Sequence, residues 1–234
     1  MKRELKFKFS KKVFKPTGTS DLLYNAVLKY YAKKKLKKSL KILDLGCGSG
    51  YVGIQVYKNL KDKCNFFFSD ISTEACKLTK YNIKKNNVKG IVKNGSLLTP
   101  WSGFKFDIII NDVSGISEKL SKITPWYNRN ISNLSGVEGT NLTINFLSQA
   151  KKYLENNGLI FFPIISLSNY NKVLFFLKKN FKFFKKIDSR EWPLPKEMLK
   201  YRILINELNK KKTITTKNKF GLIIFKTDIY IAKI

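Results

Sequence analysis

The sequence contains no histidine. A protein without histidine has no Ser-His-Asp triad, no imidazole general base and few of the side chains that hold zinc. Its three cysteines, Cys47, Cys64 and Cys76, are odd in number and never form a Cys-x-x-Cys pair. We therefore expect no metal site, and a reduced, cytoplasmic protein rather than a disulfide-bonded secreted one.

Acidic residues and arginine are also scarce. The chain has 46 Lys and Arg against 16 Asp and Glu, a formal net charge of +30, and only four of the basic residues are arginine. A charge of this size is typical of proteins that bind RNA, DNA or another anionic surface. Codon bias in a genome rich in A and T would also place lysine at solvent-exposed positions. We favour codon bias and keep a functional basic face as the alternative.

Long apolar runs are absent as well. No stretch reaches the ~18 uncharged apolar residues of a membrane-spanning helix, and the first ten residues alternate charged with apolar side chains. We expect no targeting or membrane-spanning segment. The chain has 234 residues, 43% of them hydrophobic, which is enough for one domain with a substantial core. We divide it into an N-terminal strand and helix extension, residues 1–38, and a main domain, residues 39–234.

The chain is organised around residues 39–53. Leucine and isoleucine side chains between 40 and 45 form the short apolar run of an inner parallel strand, which Asp44 interrupts. Glycines follow at positions 46, 48 and 50, and a helix begins after them. Glycines allow a sharp turn and leave room for a ligand on the main chain, and the start of the helix directs free N–H groups at it. The pattern predicts a site for a nucleotide-like ligand.

Two families use such a turn. Gly48, Gly50 and Gly53 match the Gly-x-Gly-x-x-Gly dinucleotide-binding pattern, with Asp70 near the usual distance of ~20 residues. The run D-L-G-C-G-S-G at 44–50 instead resembles the S-adenosylmethionine (SAM) motif of class I methyltransferases. We favour the methyltransferase, and keep a strand-to-helix turn that binds no ligand as a further interpretation. The resemblance implies SAM as the cofactor, held by Asp44, Gly46, Cys47, Gly48, Ser49 and Gly50.

Strand and helix patterns alternate along the chain, which predicts an α/β fold with a doubly wound, mostly parallel sheet. The end breaks this alternation, because residues 220–225 and 228–234 are both strand-like with no helix between them. We therefore predict a Rossmann-like, seven-stranded sheet with an antiparallel C-terminal hairpin at its edge, as in class I methyltransferases. Further predictions are a strand over 5–14, a first helix capped by Thr19 or Ser20, a helix over 140–155 and a strand over 181–187.

Polar residues at the ends of strands are candidates for the site, because ligands of open α/β sheets lie beyond the carboxyl ends of the strands. Asp70 ends the second predicted strand, where its carboxylate can accept both ribose hydroxyls and Ile71 can pack on the adenine. Capping of the next helix is the alternative role of Asp70. Ser96 and Leu97 follow the third strand, where methyltransferases place a polar group for the adenine amine.

The fourth strand carries a narrower resemblance. The run F-D-I-I-I-N-D-V-S-G at 106–115 is similar to the F-D-x-I-x-x-N-P-P-Y motif of protein-glutamine and adenine N-methyltransferases, the small methyltransferase domain subfamily. Residues 13–23, 69–75 and 134–139 also resemble segments of that subfamily. The resemblance extends over roughly residues 13–165.

The differences from that motif change the expected chemistry. In the subfamily, the asparagine and the proline carbonyl after it hold the nitrogen that is methylated. Here Asp112 stands in the asparagine's place, and Val113, Ser114 and Gly115 replace Pro-Pro-Tyr. We expect Asp112 and Ser114 to be catalytic, with Asp112 also beside the cofactor, where its carboxylate accepts hydrogen bonds from an amine or removes its proton. A turn residue that bonds its own backbone is the alternative role of Asp112.

Two predicted loops combine tryptophan with arginine. Trp126 and Arg129 lie in one, and Arg190 and Trp192 lie in the proline-containing residues 188–198. Both loops are candidates for the walls of an acceptor pocket. Equally, their tryptophans could simply pin each loop to the body of the domain.

Together these patterns predict a SAM-dependent methyltransferase that modifies a nitrogen or oxygen of a protein or small molecule. Two alternatives stay open. One is an RNA methyltransferase that uses the basic surface, and the other is a nucleotide-binding protein without catalysis.

Overall fold

The computed structural model describes residues 4–32, 39–60, 64–113, 115–127, 131 and 135–233. The helices in this part of the chain are α1 Gly18–Tyr31, α2 Tyr51–Leu60, α3 Thr73–Lys85, α4 Glu118–Ser121, α5 Asn141–Ala150, α6 Tyr170–Asn180 and α7 Arg202–Lys210. The strands are β1 Leu40–Leu45, β2 Cys64–Asp70, β3 Gly90–Asn94, β4 Phe106–Asn111, β5 Leu154–Ile165, β6 Phe183–Pro193, β7 Lys217–Lys219 and β8 Leu222–Lys233. None of these helices combines the length and the apolar character that crossing a membrane requires.

Within the described residues the strands form one sheet in the order β3-β2-β1-β4-β5-β8-β6, with β7 paired to β8. The neighbouring pairs from β3 to β5 are parallel, and β8 is antiparallel to both β5 and β6. The predicted α/β fold with a mostly parallel sheet is confirmed. A strand inserted antiparallel beside the edge differs from the six-stranded dinucleotide fold, whose order is 3-2-1-4-5-6.

The C-terminal strands differ from the prediction in detail. Residues 222–225 and 228–233 of the two predicted segments belong to one continuous strand, β8, whereas 220 and 221 form the turn before it and Ile234 lies outside the described residues. This strand lies between β5 and β6, so β6 forms the edge of the sheet. Residues 227–232 are all buried, as an inner strand requires. A short hairpin does form, between β7 and the start of β8.

The helix predicted over 140–155 is shorter in the structure, and the Asn-Gly pair at 157–158, a common helix stop, lies inside β5. The helix ends earlier, and β5 already begins at Leu154. A Cβ on Gly158 would lie 3.0 Å from the carbonyl oxygen of Phe106, where the pairing of β4 with β5 shifts its register. The glycine therefore marks an irregularity in a strand rather than the end of a helix.

The strand β6 is longer than the predicted 181–187 and includes the first half of the predicted loop 188–198. Each residue from Asp188 to Pro193 pairs with β8. Because β8 is long, β6 continues along it beyond residue 187. The second half of that loop contains a 3₁₀ turn, Lys196–Tyr201.

Two apolar cores cover the opposite faces of the sheet. Ile42 and Phe68 belong to the core beneath α1 and α2, whereas Leu43 and Phe67 belong to the core beneath α5 and α6. Adjacent strand residues point to opposite faces, which explains this division. Continuous apolar runs such as that of β1 therefore supply both cores.

A third apolar cluster is built by the segments that follow β4, β5 and β6. Leu120, Met198 and Ile205 are fully buried in it. Trp126 and Trp192 pack against it and are partly buried. These segments therefore pack around a small apolar core of their own beyond the carboxyl ends of the strands.

The N-terminal residues 4–16, called the strap below, contain no strand in the described structure, in contrast to the strand predicted over 5–14. The N–H and C=O of Lys6 both bond the side-chain amide of Asn86, at 2.9 Å each. Lys8 bonds Asn82 in the same way, at 2.9 and 3.0 Å. A side-chain amide offers a donor and an acceptor, so the two asparagines at the end of α3 take the place of a partner strand.

Candidate active site

A cavity of about 790 Å³ opens at the carboxyl ends of β1, β2 and β4. This is where an open parallel sheet offers room for a ligand. It brings together most of the predicted site residues, which are Asp44, Gly46, Cys47, Gly48, Ser49, Asp70, Ile71, Ser96, Leu97, Asp112, Trp126 and Trp192. Gly50 and Arg190 are outside its lining, and Ser114 and Arg129 lie outside the described residues.

The turn between β1 and α2 follows from the glycine spacing. Gly46, Gly48 and Gly50 have φ angles of 72°, 54° and 76°, in the region that favours glycine. A Cβ on Gly46 would lie 2.8 Å from Cγ1 of Val113, so this glycine lets the turn approach the end of β4. Gly50 packs beside Thr79, where a Cβ would lie 3.0 Å from Cγ2, and this contact keeps Gly50 out of the cavity lining.

The two side chains between the glycines are buried. The Cys47 thiol lies 3.4 Å from the Thr79 hydroxyl, and burial raises the pKa of Cys47 well above its ordinary value. The Ser49 hydroxyl has no hydrogen-bond partner within the described residues. At these positions a ligand would meet the main chain and a neutral thiol.

Asp44 is 1% exposed and lies beneath the turn. Its Oδ2 accepts a hydrogen bond from the Gly53 N–H at 2.8 Å, whereas Oδ1 has no partner in the described part of the chain. Burial raises the pKa of Asp44 to about 8, and the neighbouring Asp112 and Asp70 carboxylates act in the same direction. An unpartnered carboxylate oxygen beside a cavity suits a ligand group that donates a hydrogen bond or carries positive charge.

Asp70 joins the turn to the start of α3. Its Oδ2 accepts from the Gly48 N–H at 2.9 Å, and its Oδ1 accepts from the Ser72 N–H at 2.8 Å. Burial raises the pKa of Asp70, although these hydrogen bonds oppose the rise. Ser72 itself caps α3 by accepting from the Ala75 N–H. Because each carboxylate oxygen can accept a second hydrogen bond, Asp70 remains able to bind hydroxyl groups in the cavity.

Three further residues complete this side of the cavity. Ile71 is apolar but 55% exposed. An exposed apolar side chain at this position can pack against a ring of a bound ligand. Ser96 is exposed, and Leu97 has a φ of 45°, which is uncommon for leucine. Strained backbone of this kind occurs often at functional sites. The residues 44–49, 69–72 and 95–97 are called the glycine-turn side below.

Asp112 follows β4 and lies between β1 and α1. Its N–H donates to the carbonyl oxygen of Leu45 at 3.1 Å, and its Oδ2 accepts from the Ser20 hydroxyl at 2.7 Å. Burial raises the pKa of Asp112 to about 7; the Ser20 hydrogen bond opposes this rise and the Asp21 carboxylate adds to it. A carboxyl group with this pKa can gain and lose a proton near neutral pH.

Trp192 forms part of the opposite wall. Its indole N–H donates to the Thr227 hydroxyl at 3.2 Å, and its ring packs so closely on Gly18 that a Cβ there would lie 2.4 Å from Cη2. The Arg190 guanidinium lies 4.8 Å from the centre of the same ring. Arg190 is exposed and contacts the tryptophan instead of lining the cavity.

Trp126 lines the cavity and packs on Phe225, with ring centres 5.6 Å apart. Phe14 and Tyr127 form a second aromatic pair in the lining, with ring centres 5.1 Å apart. Each tryptophan therefore packs against the domain and also lines the cavity. The lining residues Trp126, Trp192, Leu194, Leu199 and Phe225 are called the tryptophan side below.

Sequence reasoning missed Phe14 and Phe225. Both line the cavity, but the first belongs to the strap and the second to β8. An aromatic residue in a strand is ordinarily a core residue, so nothing in the local pattern distinguishes Phe225.

The charge of the cavity contrasts with that of the chain. Within the described residues, the charged side chains that line it are Asp44, Asp70, Asp112, Lys12 and Lys196. Both lysines are exposed, whereas Asp44 is buried and the other two carboxylates are partly buried. In a chain of net charge +30, this cavity therefore favours a cationic ligand.

Comparison with known proteins agrees with this geometry. Residues 8–112 match the family model of the methyltransferase small domain. The match takes in slightly less than half of the chain. The matched residues include residues 8–16 of the strap, the glycine-turn side and Asp112, so the match covers the first of the two walls.

Among curated proteins, a release factor glutamine methyltransferase of Borreliella burgdorferi is 29% identical over 188 residues, which are 78% of this chain and 64% of the relative. The chain thus spans slightly less than two thirds of that relative's length. The identity extends beyond the matched domain and reaches the second half of the chain.

Solved structures show the same fold. A ribosomal protein L11 methylase of Lactobacillus delbrueckii subsp. bulgaricus has a TM-score of 0.56 at 16% identity, covering 95% of this chain and 82% of its own. A 16S rRNA methyltransferase of T. thermophilus, in complex with AdoMet and guanosine, has a TM-score of 0.56 at 13% identity, covering 94% and 43%. The fold is that of class I methyltransferases.

The residues of the glycine-turn side fit SAM, which is the AdoMet of the T. thermophilus complex. SAM carries a sulfonium, an ammonium, two ribose hydroxyls and an adenine ring. The unpartnered Oδ1 of Asp44 and the carboxylate of Asp70 offer acceptors for the cationic and hydroxyl groups. The exposed Ile71 offers an apolar surface for a ring.

Proposed function

We propose that this protein is a SAM-dependent methyltransferase that modifies a nitrogen or oxygen of a protein or small-molecule acceptor. The observation that carries the proposal is the group of three carboxylates, Asp44, Asp70 and Asp112, around one cavity in a strongly basic chain. Two of them lie on the glycine-turn side, and the third lies where that side meets the tryptophan side.

On the glycine-turn side, Asp44 and the main chain of residues 46–50 would hold the methionine part of SAM. Asp70 would bind the ribose hydroxyls, Ile71 would pack on the adenine, and Ser96 and Leu97 would border its amine. When bound, SAM supplies a methyl group on a positively charged sulfur.

Asp112 is the group that would bind the acceptor and take up its proton. Its carboxylate accepts a hydrogen bond from the acceptor N–H or O–H, and it takes up the proton that the acceptor loses on methylation. Trp126 and Trp192 would flank the acceptor. Ser114 and Arg129, outside the described residues, remain proposed contributors, and Arg190 would act by holding Trp192 in place.

A protein acceptor has support from the relatives. The Borreliella burgdorferi relative is named for methylation of glutamine in a release factor. Glutamine itself is not the acceptor we propose, because Asp112, Val113 and Gly115 stand where the related motif has Asn, Pro and Tyr. A carboxylate in place of an amide instead favours a more basic amine.

RNA is the second candidate acceptor, because the chain has a net charge of +30. Protein–RNA affinity that depends on many lysine–phosphate contacts falls steeply with salt. If RNA is the acceptor, methylation of an RNA fraction should drop by at least roughly tenfold between about 50 and 200 mM salt. A protein or small-molecule acceptor should show little change over the same range.

The function is tested by incubating the purified protein with methyl-labelled SAM and with protein, RNA and small-molecule fractions of a cell lysate. Label in the protein or small-molecule fraction would support the proposal. Calorimetry with SAM, its demethylated product and NAD tests the cofactor separately. Binding of NAD without binding of SAM would refute it, and binding of SAM without transfer to any fraction would indicate a non-catalytic binding protein.

A further inference from the structure

The Ser20 side chain occupies an unusual position at the start of α1. It is 2% exposed, and its Oγ lies between two partners. Oγ accepts a hydrogen bond from the Thr17 N–H at 3.4 Å and donates to Oδ2 of Asp112 at 2.7 Å. Thr17, in turn, is the N-cap of α1 and forms a capping box with Ser20. The start of the helix is thus bonded directly to the proposed catalytic carboxylate.

The capping box fixes the direction of the Ser20 proton. A hydroxyl has one proton to donate. Because the Thr17 N–H occupies an acceptor position on Oγ, the proton is directed away from the helix start and towards Asp112. The capping box at the start of α1 therefore also orients the Ser20 hydroxyl that holds the Asp112 carboxylate.

The electrostatic surroundings of Asp112 are mixed. The N-terminal end of α1 carries partial positive charge, which favours a carboxylate beside it. Two carboxylates oppose this effect, namely Asp21 in the first turn of α1 and Asp44 at the end of β1. The Tyr51 hydroxyl donates to Asp21 at 2.7 Å, so Asp21 is held by a partner of its own. Ser20 is thus the side chain that directly stabilises the charged form of Asp112.

We propose that Ser20 is a positioning residue for methyl transfer. It holds Oδ2 of Asp112 against α1, so that Oδ1 is the oxygen presented to the acceptor in the cavity. The proposal rests on the function proposed above, since it assigns Asp112 to the acceptor. The hydrogen bond itself can be tested without cofactor or acceptor.

The test measures the pKa of Asp112 by NMR of protein labelled with ¹³C at the aspartate carboxyl carbons, with Asp112→Asn to assign the signal. Ser20→Ala removes a hydrogen bond to the ionised form, so the pKa of Asp112 should rise by roughly one to two pH units. Ser20→Thr keeps the hydroxyl and should restore the wild-type value. An Asp112 pKa that is unchanged in folded Ser20→Ala would overturn the proposal.

Two matched variants separate this role from helix capping. Thr17→Ala removes the N-cap side chain but keeps the Ser20 hydroxyl. Thr19→Ala removes another hydroxyl of the same turn, one that contacts Thr227 instead of Asp112. Both should leave the pKa of Asp112 near its wild-type value. If Thr17→Ala shifted this pKa as much as Ser20→Ala, the effect would come from the helix start and the proposal would be wrong. Should Ser20→Ala not fold, Ser20→Cys, with its weaker donor, replaces it and is judged in the same way.

The functional readout uses whichever lysate fraction accepts label. In Ser20→Ala the acidic limb of the pH profile of turnover should move to higher pH, by about the shift that NMR measures for Asp112. An unmoved acidic limb beside a shifted NMR pKa would refute the positioning role in catalysis. Failure of every fraction to accept label would instead count against the proposed function, and the NMR result would still decide whether Ser20 controls Asp112.

Discussion

The two sides of the cavity are built in different ways. The glycine-turn side comes from one stretch of chain, residues 44–97, in which β1, β2 and β3 end beside one another. The tryptophan side comes from the segments that follow β4 and β6 and from the strands β6 and β8 themselves. The first is held by main-chain hydrogen bonds and glycine geometry, and the second by packing of large apolar side chains. A fold arranged in this way can keep its cofactor while its acceptor changes.

The largest effect is expected at Asp112, where the two sides meet. Asp112→Ala should leave the fold intact and SAM affinity within a few-fold of wild type, while turnover falls by roughly 10²-fold or more, the range for loss of a positioned acid–base group. Single-turnover kinetics with labelled SAM, alongside calorimetry, would measure both. Full turnover in this variant would return Asp112 to a role in shaping the turn.

Asp112→Asn distinguishes between two roles of the same carboxylate. Asparagine keeps a hydrogen-bond acceptor but cannot take up the proton at neutral pH. Activity near that of wild type would indicate an orienting acceptor, as in the related Asn-Pro-Pro-Tyr motif. Activity as low as in Asp112→Ala would show that the charge itself is required.

On the glycine-turn side, Asp70→Ala should weaken SAM binding by about 1.5–3 kcal/mol, the range for hydrogen bonds to a charged group. The loss combines the proposed ribose contacts with the bond that holds the Gly48 N–H. Calorimetry would measure it. Asp188→Ala is the matched control, because Asp188 pairs with Lys29 away from the cavity and should leave SAM affinity unchanged. Equal affinities in the two variants would leave Asp70 only a capping role.

Two glycine substitutions compare the packing behind the glycine turn with the packing of the segment that follows β4. A Cβ on Gly53 would lie 2.8 Å from Oδ2 of Asp44 and 2.5 Å from Cε1 of Phe68, whereas a Cβ on Gly115 would meet its nearest neighbour at 3.7 Å. Gly53→Ala should therefore lower the free energy of unfolding by about 1–3 kcal/mol, and Gly115→Ala by much less. Urea denaturation would show the difference. Equal losses would mean that the two glycines are packed equally tightly.

The last prediction concerns the pH dependence of stability. The pKa values of Asp44 and Asp112 are raised to about 8 and about 7 in the folded protein, so unfolding releases protons between pH ~4 and those values. The free energy of unfolding should therefore fall as pH rises from about 5 to 8, by up to about 1.4 kcal/mol per pH unit for each group. The chain has no histidine to mask this slope. Asp44→Asn should flatten it in denaturation curves, and a flat wild-type profile would contradict the raised values.

Much of the glycine-turn side could be predicted because its constraints are local. The φ angles of Gly46 and Gly48 and the buried Asp44 follow from a short run of residues. The tryptophan side could not be predicted in the same way. The contact of Trp192 with Gly18 and Thr227 joins three distant parts of the chain, and no local pattern encodes it.

The misplaced elements have the same cause. The extent of β6 depends on the length of its neighbour β8, and the bulge at Gly158 depends on how β5 pairs with β4. Both are properties of the assembled sheet. The alternation of strands and helices, by contrast, required only the chain itself, and the fold class followed from it.

The strap has a consequence for folding and exchange with solvent. Its partners Asn82 and Asn86 lie 74 and 80 residues further along the chain than Lys8 and Lys6. Closing so long a loop costs conformational entropy. The strap is held by side-chain amides instead of a strand ladder, so we expect it to open locally more readily than the sheet. The Lys6 and Lys8 amide protons should therefore exchange well before those of β1. Because Val13 and Phe14 of the same segment line the cavity, slower exchange at Lys6 and Lys8 would report that a ligand has entered it.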